Sequence, residues 1–160
     1  MLEFLKKKKM TWDIVAPVSG EIVDISNLPD DMFAKKVLGE STAVKVNDDY
    51  AEICAPVDGI LKVVFPTGHA FGMLTKEGIE VLVHIGINTV EEDGNGFLKL
   101  KSQEDTVTAG TPIIAVDFAK LRSKYDMSVI IIITNQNGNT IELVNNGKCL
   151  VGQSIVKKHQ

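Results

Sequence analysis

From position 12 onward the chain alternates short apolar stretches with turn chemistry at close intervals. The turns read Pro-Val-Ser-Gly, Asn-Leu-Pro-Asp-Asp, Val-Asn-Asp-Asp, Pro-Val-Asp-Gly, Asp-Gly-Asn-Gly, Asn-Gly-Asn and Asn-Asn-Gly. Successive side chains of a strand point to opposite faces, so short alternating runs between such turns predict an all-β sandwich or barrel. Strands are predicted at 12–16, 20–25, 42–46, 52–55, 59–65, 69–75, 79–85, 97–100, 112–116, 128–134, 140–144 and 154–156. The run SVIIIIT (128–134) is apolar on both parities, which predicts a strand covered on both faces. Helical signals are confined to 29–38 and 117–124, the second with Asp117 placed to cap it.

Two stretches echo each other. APVSG, from Ala16 to Gly20, returns as APVDG, from Ala55 to Gly59. VTAGTPII, from Val107 to Ile114, resembles CLVGQSIV, from Cys149 to Val156. Each element occurs twice, roughly 40 residues apart, which predicts two similar β units wrapped together; a solenoid needs more copies.

The chain has three histidines, and two of them, His69 and His84, sit at mirrored positions around the polar triplet Thr75-Lys76-Glu77 and Gly78. A hairpin turning at Lys76-Glu77 pairs residues whose numbers sum to 153, with His69 opposite His84 and Cβ atoms about 4.5–5.5 Å apart. A three-residue loop, Lys76-Glu77-Gly78, instead gives pairs summing to 154 and puts the imidazoles on opposite faces, unless a bulge restores the register. The first reading points to chemistry done by a histidine pair. The second leaves two strand histidines, each hydrogen-bonded locally.

The bulk numbers narrow the classes. The 160 residues suit one domain, residues 11–160, preceded by a flexible basic tail at 1–10. The net charge of −4 is a sum of unlike parts, because residues 1–10 carry four Lys and one Glu, leaving −7 for the rest. An acidic body argues against nucleic acid and favours a basic protein partner. The apolar runs are far short of the roughly 20 residues a bilayer span needs. Cys54 and Cys149 lie far apart outside any Cys-x-x-Cys pattern, as buried thiols of a reduced cytosolic protein do. MLEFLKKKKM lacks the apolar core of a signal peptide. It reads as a solvated basic tail or as a weak contact with an anionic membrane surface.

The strings FPTGHAFG (65–72) and GIEVLVHIGINTV (78–90) resemble the glucose-type enzyme IIA phosphocarriers of the bacterial phosphoenolpyruvate-dependent sugar phosphotransferase system. APVSG, PDDMFAKKVLGE (29–40), APVDG, DGNGF (93–97) and CLVGQSIV extend the resemblance, in order, over nearly all of 12–157. It implies an antiparallel β-sandwich with duplicated halves. It also implies a carrier that takes a phosphoryl group from the phosphohistidine of HPr and passes it to a cysteine of a transporter's IIB domain. His84 is then the acceptor, through Nε2; His69 stabilises the phosphoryl group, and Thr67 orients His69. Phe33, Asp30, Phe65, Phe71, Ile85 and Asn88 become the partner-binding residues, with Ala70 in the same apolar collar.

The chemistry suits these residue types, because imidazole is nucleophilic when one ring nitrogen is bare and its ordinary pKa keeps much of it neutral. Phosphoryl transfer asks mainly for alignment and for donors to the equatorial oxygens, which a second imidazole supplies. No cofactor is implied, and the expected form is a cytoplasmic monomer, free-standing without fused IIB or IIC segments, with peripheral contact at the inner membrane face through residues 1–10 as a further option.

Three departures from the family pattern stand out: Asn88 where aspartate is usual, Gly39-Glu40-Ser41 for Gly-Asp-Gly, and Leu82 for phenylalanine. Asn88 keeps an acceptor but loses a charge, leaving Asp30 as the carboxylate facing an arginine of HPr. Altered partners would make the chain a regulatory protein derived from the same system, binding regulatory targets. A zinc-binding hydrolase-like module is the remaining class, but such a site needs three protein ligands. His69 and His84 alone offer an adventitious zinc site. His159, in the terminal KKHQ, is expected to be solvated and uninvolved.

Overall fold

A computed structural model describes residues 12–157, so the expectations for the lysine-rich segment 1–10 and for His159 lie outside the described residues. The strands, in chain order, are β1 (Gly20–Val23), β2 (Glu40–Lys45), β3 (Tyr50–Cys54), β4 (Gly59–Val64), β5 (Ala70–Leu74), β6 (Glu80–Ile85), β7 (Phe97–Lys99), β8 (Thr106–Val107), β9 (Pro112–Asp117), β10 (Val129–Asn135) and β11 (Gly147–Cys149). They form an eight-stranded sheet, ordered β11-β1-β2-β10-β6-β5-β4-β8, and a three-stranded sheet, β3-β9-β7. Every pairing is antiparallel, as the sandwich reading requires.

Two short helices complete the frame: α1 (Asp31–Ala34) and α2 (Phe118–Arg122). Asp30 caps α1 by accepting from the amides of Met32 and Phe33, and Asp117 caps α2 through Lys120. Helix α1 is much shorter than the signal at 29–38, because Lys36 turns to a positive φ and breaks the helical path. The segments 12–16, 140–144 and 154–156 make only the isolated bridges Val15–Ser154 and Leu143–Val156 instead of strands. Each touches several different neighbours in turn, so no ladder of consecutive pairs develops. Strands β8 and β11, absent from the sequence reading, are too short to register as a periodicity.

The sequence echoes have a structural counterpart in which the two copies bond to each other. Val15 donates to the carbonyl of Pro56, and Cys54, its counterpart 39 positions on, donates to the carbonyl of Pro17. Ala16 donates to Gln153 and accepts from Gly152; Ala55 donates to Thr111 and accepts from Gly110. The larger sheet repeats the symmetry, since Gly20 pairs with Cys149 and Gly59 with Val107. Its order reads alike from both ends, with the pseudo-two-fold between β10 and β6.

Those two central strands divide the core. Val129, Ile131 and Ile133 of β10 and Val81, Val83 and Ile85 of β6 face the main cluster between the sheets. Ile130 and Ile132 face the other way, with Ala43, Leu82, Phe33 and Ile87, under the cover of α1 and its approach. Strand β10 is therefore buried on both faces, as its unbroken apolar run predicts.

The glycines that close each echo are fixed by close approach. A Cβ on Gly20 would lie 2.3 Å from the Lys45 carbonyl oxygen, and one on Gly59 2.3 Å from that of Leu74. Gly20→Ala and Gly59→Ala are each expected to cost about 1–3 kcal/mol in urea unfolding, since backbone must shift to admit the methyl group. Wild-type midpoints for both variants would contradict the matched packing of the two halves.

Candidate active site

The β5–β6 hairpin runs in the 154 register, with Ala70 opposite His84 and Leu74 opposite Glu80. The expected 153 pairing of His69 with His84 does not form. The turn is wider than two residues: Thr75 donates to Ile79, and Gly78 donates back to Thr75. His69 stands opposite Ile85, whose amide donates to its carbonyl at 2.7 Å.

The imidazoles nevertheless meet, with ring centroids 5.2 Å apart and planes at 79°. His84 projects from the face of β6 opposite to Val83 and Ile85, which fill the main core. His69 precedes the first residue of β5 and follows the Pro66–Thr67–Gly68 turn, where Gly68 has φ +75°. Strand alternation does not govern a residue outside the regular ladder, so the turn swings the His69 ring to His84's side.

A main-chain contact fixes the tautomer of His84. Nδ1 lies 2.8 Å from the carbonyl oxygen of Gly86. A carbonyl only accepts, so Nδ1 carries the proton, and in the neutral ring Nε2 is left with a bare lone pair. Phe33 packs on the ring at 5.0 Å between centroids. His69 bonds through Nδ1 to the hydroxyl of Thr67, and Phe65 meets its ring edge-on at 5.2 Å. Thr67, His69 and His84 thus converge as expected from the sequence.

Burial disfavours the charged form of both rings. It pushes His69 down to about 4, with the charge of His84 adding to the effect. Burial also lowers His84, opposed by the Gly86 carbonyl and by the negative charge of Asp30.

Gly86 is itself held from several sides. Its φ is +78°, and a Cβ there would meet the Thr89 methyl carbon at 2.5 Å and the Met127 sulfur at 2.8 Å. Its amide donates to Ser128, the next amide, Ile87, donates to Asp126, and the buried Thr89 hydroxyl donates to the Ile85 carbonyl at 2.5 Å. Beyond it, the 3-10 turn Thr89–Glu92 is tied down by Glu92, which accepts from Tyr125 at 2.8 Å and from Lys124 at 3.1 Å. Sequence reasoning missed this support. Glu92 stands in a polar turn sequence, and Tyr125 and Lys124 lie more than thirty positions away.

The expected partner-binding residues divide. Asn88 is exposed, at φ +64°, a left-handed conformation that asparagine adopts more readily than most side chains. Asp30 and Phe65 are partly exposed, and Phe33 shows its edge at 8%. Phe71 and Ile85, expected on the docking face, are instead fully enclosed in the main core, and Ala70, opposite His84 on the neighbouring strand, is fully buried too. They support the site from behind and present nothing to a partner. Exposed apolar side chains come from Met32, Val37, Leu38 and Val90, in the same two segments that deliver Phe33 and Asn88. Those residues were not singled out, because alternation reveals a face but not which face is left open.

Among the described residues no group of three or more His, Cys, Asp or Glu is placed to hold a metal ion. No helix among them is long and apolar enough to cross a membrane.

The chain is similar to known proteins over most of its length. The model of the family described as phosphoenolpyruvate-dependent sugar phosphotransferase system, EIIA 1, matches residues 12–139. The glucose-specific EIIA component of Haemophilus influenzae is 38% identical over 152 residues, covering 94% of this chain and 90% of that protein. Its counterpart in Mycoplasma capricolum is 39% identical over 145 residues, covering 89% and 92%. The glucose-specific EIICBA component of Staphylococcus carnosus is 39% identical over 144 residues, but the chain spans only 21% of that larger protein. Among solved structures, glucose permease IIA from Mycoplasma capricolum superposes with a TM-score of 0.82 at 36% identity, over 90% of this chain and 93% of that one.

The buried environment of His69 makes a direct prediction for NMR titration. Its ring proton shifts are expected to stay flat from pH 8 down to about 5.5 and to move only towards pH 4. A midpoint near the ordinary value of about 6.5 would contradict the desolvated, neutral imidazole.

Proposed function

The chain belongs to the phosphoenolpyruvate-dependent sugar phosphotransferase system EIIA 1 family, and from that footing we propose that it carries a phosphoryl group on His84, taken from phospho-HPr and delivered to a IIB domain during sugar uptake. The observation that carries the residue assignment is the Gly86 carbonyl on Nδ1 of His84, which leaves Nε2 as the nucleophile beside a second neutral imidazole.

In the first transfer the Nε2 lone pair attacks the phosphorus held on the donor's imidazole. The new N–P bond forms as the old one breaks, and the bonding pair returns to the donor nitrogen. No proton leaves His84. Positive charge developing on its ring is shared with the Gly86 carbonyl through the Nδ1–H bond. The Thr67 hydroxyl, donating to Nδ1 of His69, leaves that ring's Nε2–H to donate to an equatorial phosphoryl oxygen. In the second transfer a cysteine thiolate of IIB attacks phosphorus, and the N–P electron pair returns to Nε2.

The surroundings fit short-lived protein contacts around a protected phosphoryl group. Phe33 and Phe65 flank the two rings, which limits the access of water. The exposed side chains of Met32, Val37, Leu38 and Val90 offer the apolar centre of a docking face. Asp30 and Asn88 stand at its polar edge, where a basic side chain of HPr is received. Asp30 already spends one oxygen capping α1, so its carboxylate is fixed in place before docking.

Incubation with phosphoenolpyruvate, enzyme I and HPr should add the mass of one acid-labile phosphoryl group. His84→Ala should abolish the gain, and acceptance by that variant would refute the assignment. His69→Gln should still accept the group while onward transfer to IIB falls by about 100-fold or more, on the scale of losing a transition-state donor. Wild-type onward transfer by the variant would remove His69 from the mechanism.

A further inference from the structure

A second feature of the fold, a cleft, lies far from the histidines. It opens at the turn end of the β5–β6 hairpin, where Thr75, Lys76 and Glu77 line it, and has a volume of about 540 Å³. The length of β5, at about 3.4 Å per residue, puts roughly 17 Å of strand between this turn and His69. Trp12, Val15 and Val107 give it apolar walls. Asp13, Asp58 and Glu77 ring it with acid, against Lys76 as the basic side chain of the lining. The bonds that Asp13 and Asp58 make within the described fold go to Oδ1: from Ile14 and Ser154 for the first, from Ala109 for the second. Both carboxylates are thereby fixed at the mouth.

Trp12 is also the first described residue, so the chain preceding it leaves from the wall of this cleft. That preceding sequence, MLEFLKKKKMT, couples three large apolar residues, Leu2, Phe4 and Leu5, to four consecutive lysines. Its charge of +3 over residues 1–10 opposes the net −2 of the lining, from three acids and one lysine. We propose that residues 1–11 dock into this cleft in the same molecule, with the apolar side chains against Trp12, Val15 and Val107 and the lysines on the acidic rim.

Reach and tethering favour this occupant. Lys9 is three residues from Trp12 and Phe4 eight, or about 10 Å and 27 Å at full extension, enough to fold back across the opening. A segment joined directly to its site has an effective concentration in the millimolar range, so weak complementarity is enough to fill it. Docked there, the lysines sit at the hairpin end remote from His84 and leave the histidine face to other partners.

Trp12 is the chain's only tryptophan, which makes its fluorescence a direct readout of the cleft. Acrylamide quenching of the full chain is to be compared with that of a variant carrying Phe4→Ser and Leu5→Ser, from 1 to 100 μM protein. The expected result is at least a twofold rise in the quenching constant of the variant, the same at every concentration. Equal quenching of the two proteins overturns the proposal. A difference that grows with protein concentration means exchange of the segment between copies, and overturns docking within one molecule. A difference seen only after adding phosphatidylglycerol vesicles assigns the segment to a membrane surface and overturns it likewise. Phosphoryl acceptance by His84 should be unchanged in the variant, so this test is independent of the carrier assignment.

Discussion

One hydrogen bond sets the chemistry of the site: the Nδ1–H of His84 on the carbonyl of Gly86. It selects the tautomer, aims the other nitrogen outward, and supplies a dipole for charge that develops on the ring. A carbonyl does this only if it is held still, and the chain spends several interactions to hold it. Gly86 takes a conformation that other residues resist, its amide and the next are bonded to Ser128 and Asp126, and Thr89 closes the turn from below. Glu92, Lys124 and Tyr125 anchor the turn that follows. A phosphoryl carrier must accept and release the same group, and a ring fixed in advance loses little conformational freedom at either step.

The strand that bears His84 could hardly be more confined. It lies next to the pseudo-two-fold, with Ala70 beside the histidine on one neighbour and Ile130 on the other. Both flanking residues are fully buried. The duplicated halves lock this centre from the outside through the reciprocal bonds between the two Ala-Pro-Val segments. The histidine pair lies in one half only. Strand β10, the counterpart of β6, carries isoleucine throughout 130–133, and it packs where β6 carries His84.

Much of this was legible beforehand. The echoed Ala-Pro-Val motifs announced the duplication, the unbroken run at 128–134 announced a strand covered on both faces, and motif order identified the family and the two histidines. The hairpin register was not legible, because Thr75-Lys76-Glu77-Gly78 is compatible with two turn lengths that differ by one residue. The local physics of a left-handed Gly68 then brought the rings together in the register that alternation alone would have ruled against. Phe71 and Ile85 were misplaced for a related reason. Neighbourhood in sequence to a functional histidine says nothing about which side of a sheet faces solvent, and both face the core. The departure at Asn88 gains a physical sense from the structure, since the position is left-handed and exposed.

We propose that the main chain leaves Nε2 of His84 as the reacting atom. This is tested most directly by nitrogen-15 and phosphorus-31 NMR of the phosphorylated chain with labelled histidine. The expected spectrum has one phosphorus-coupled nitrogen, Nε2 of His84, and a proton retained on Nδ1 in slow exchange. Coupling to Nδ1, or to any nitrogen of His69, would contradict it.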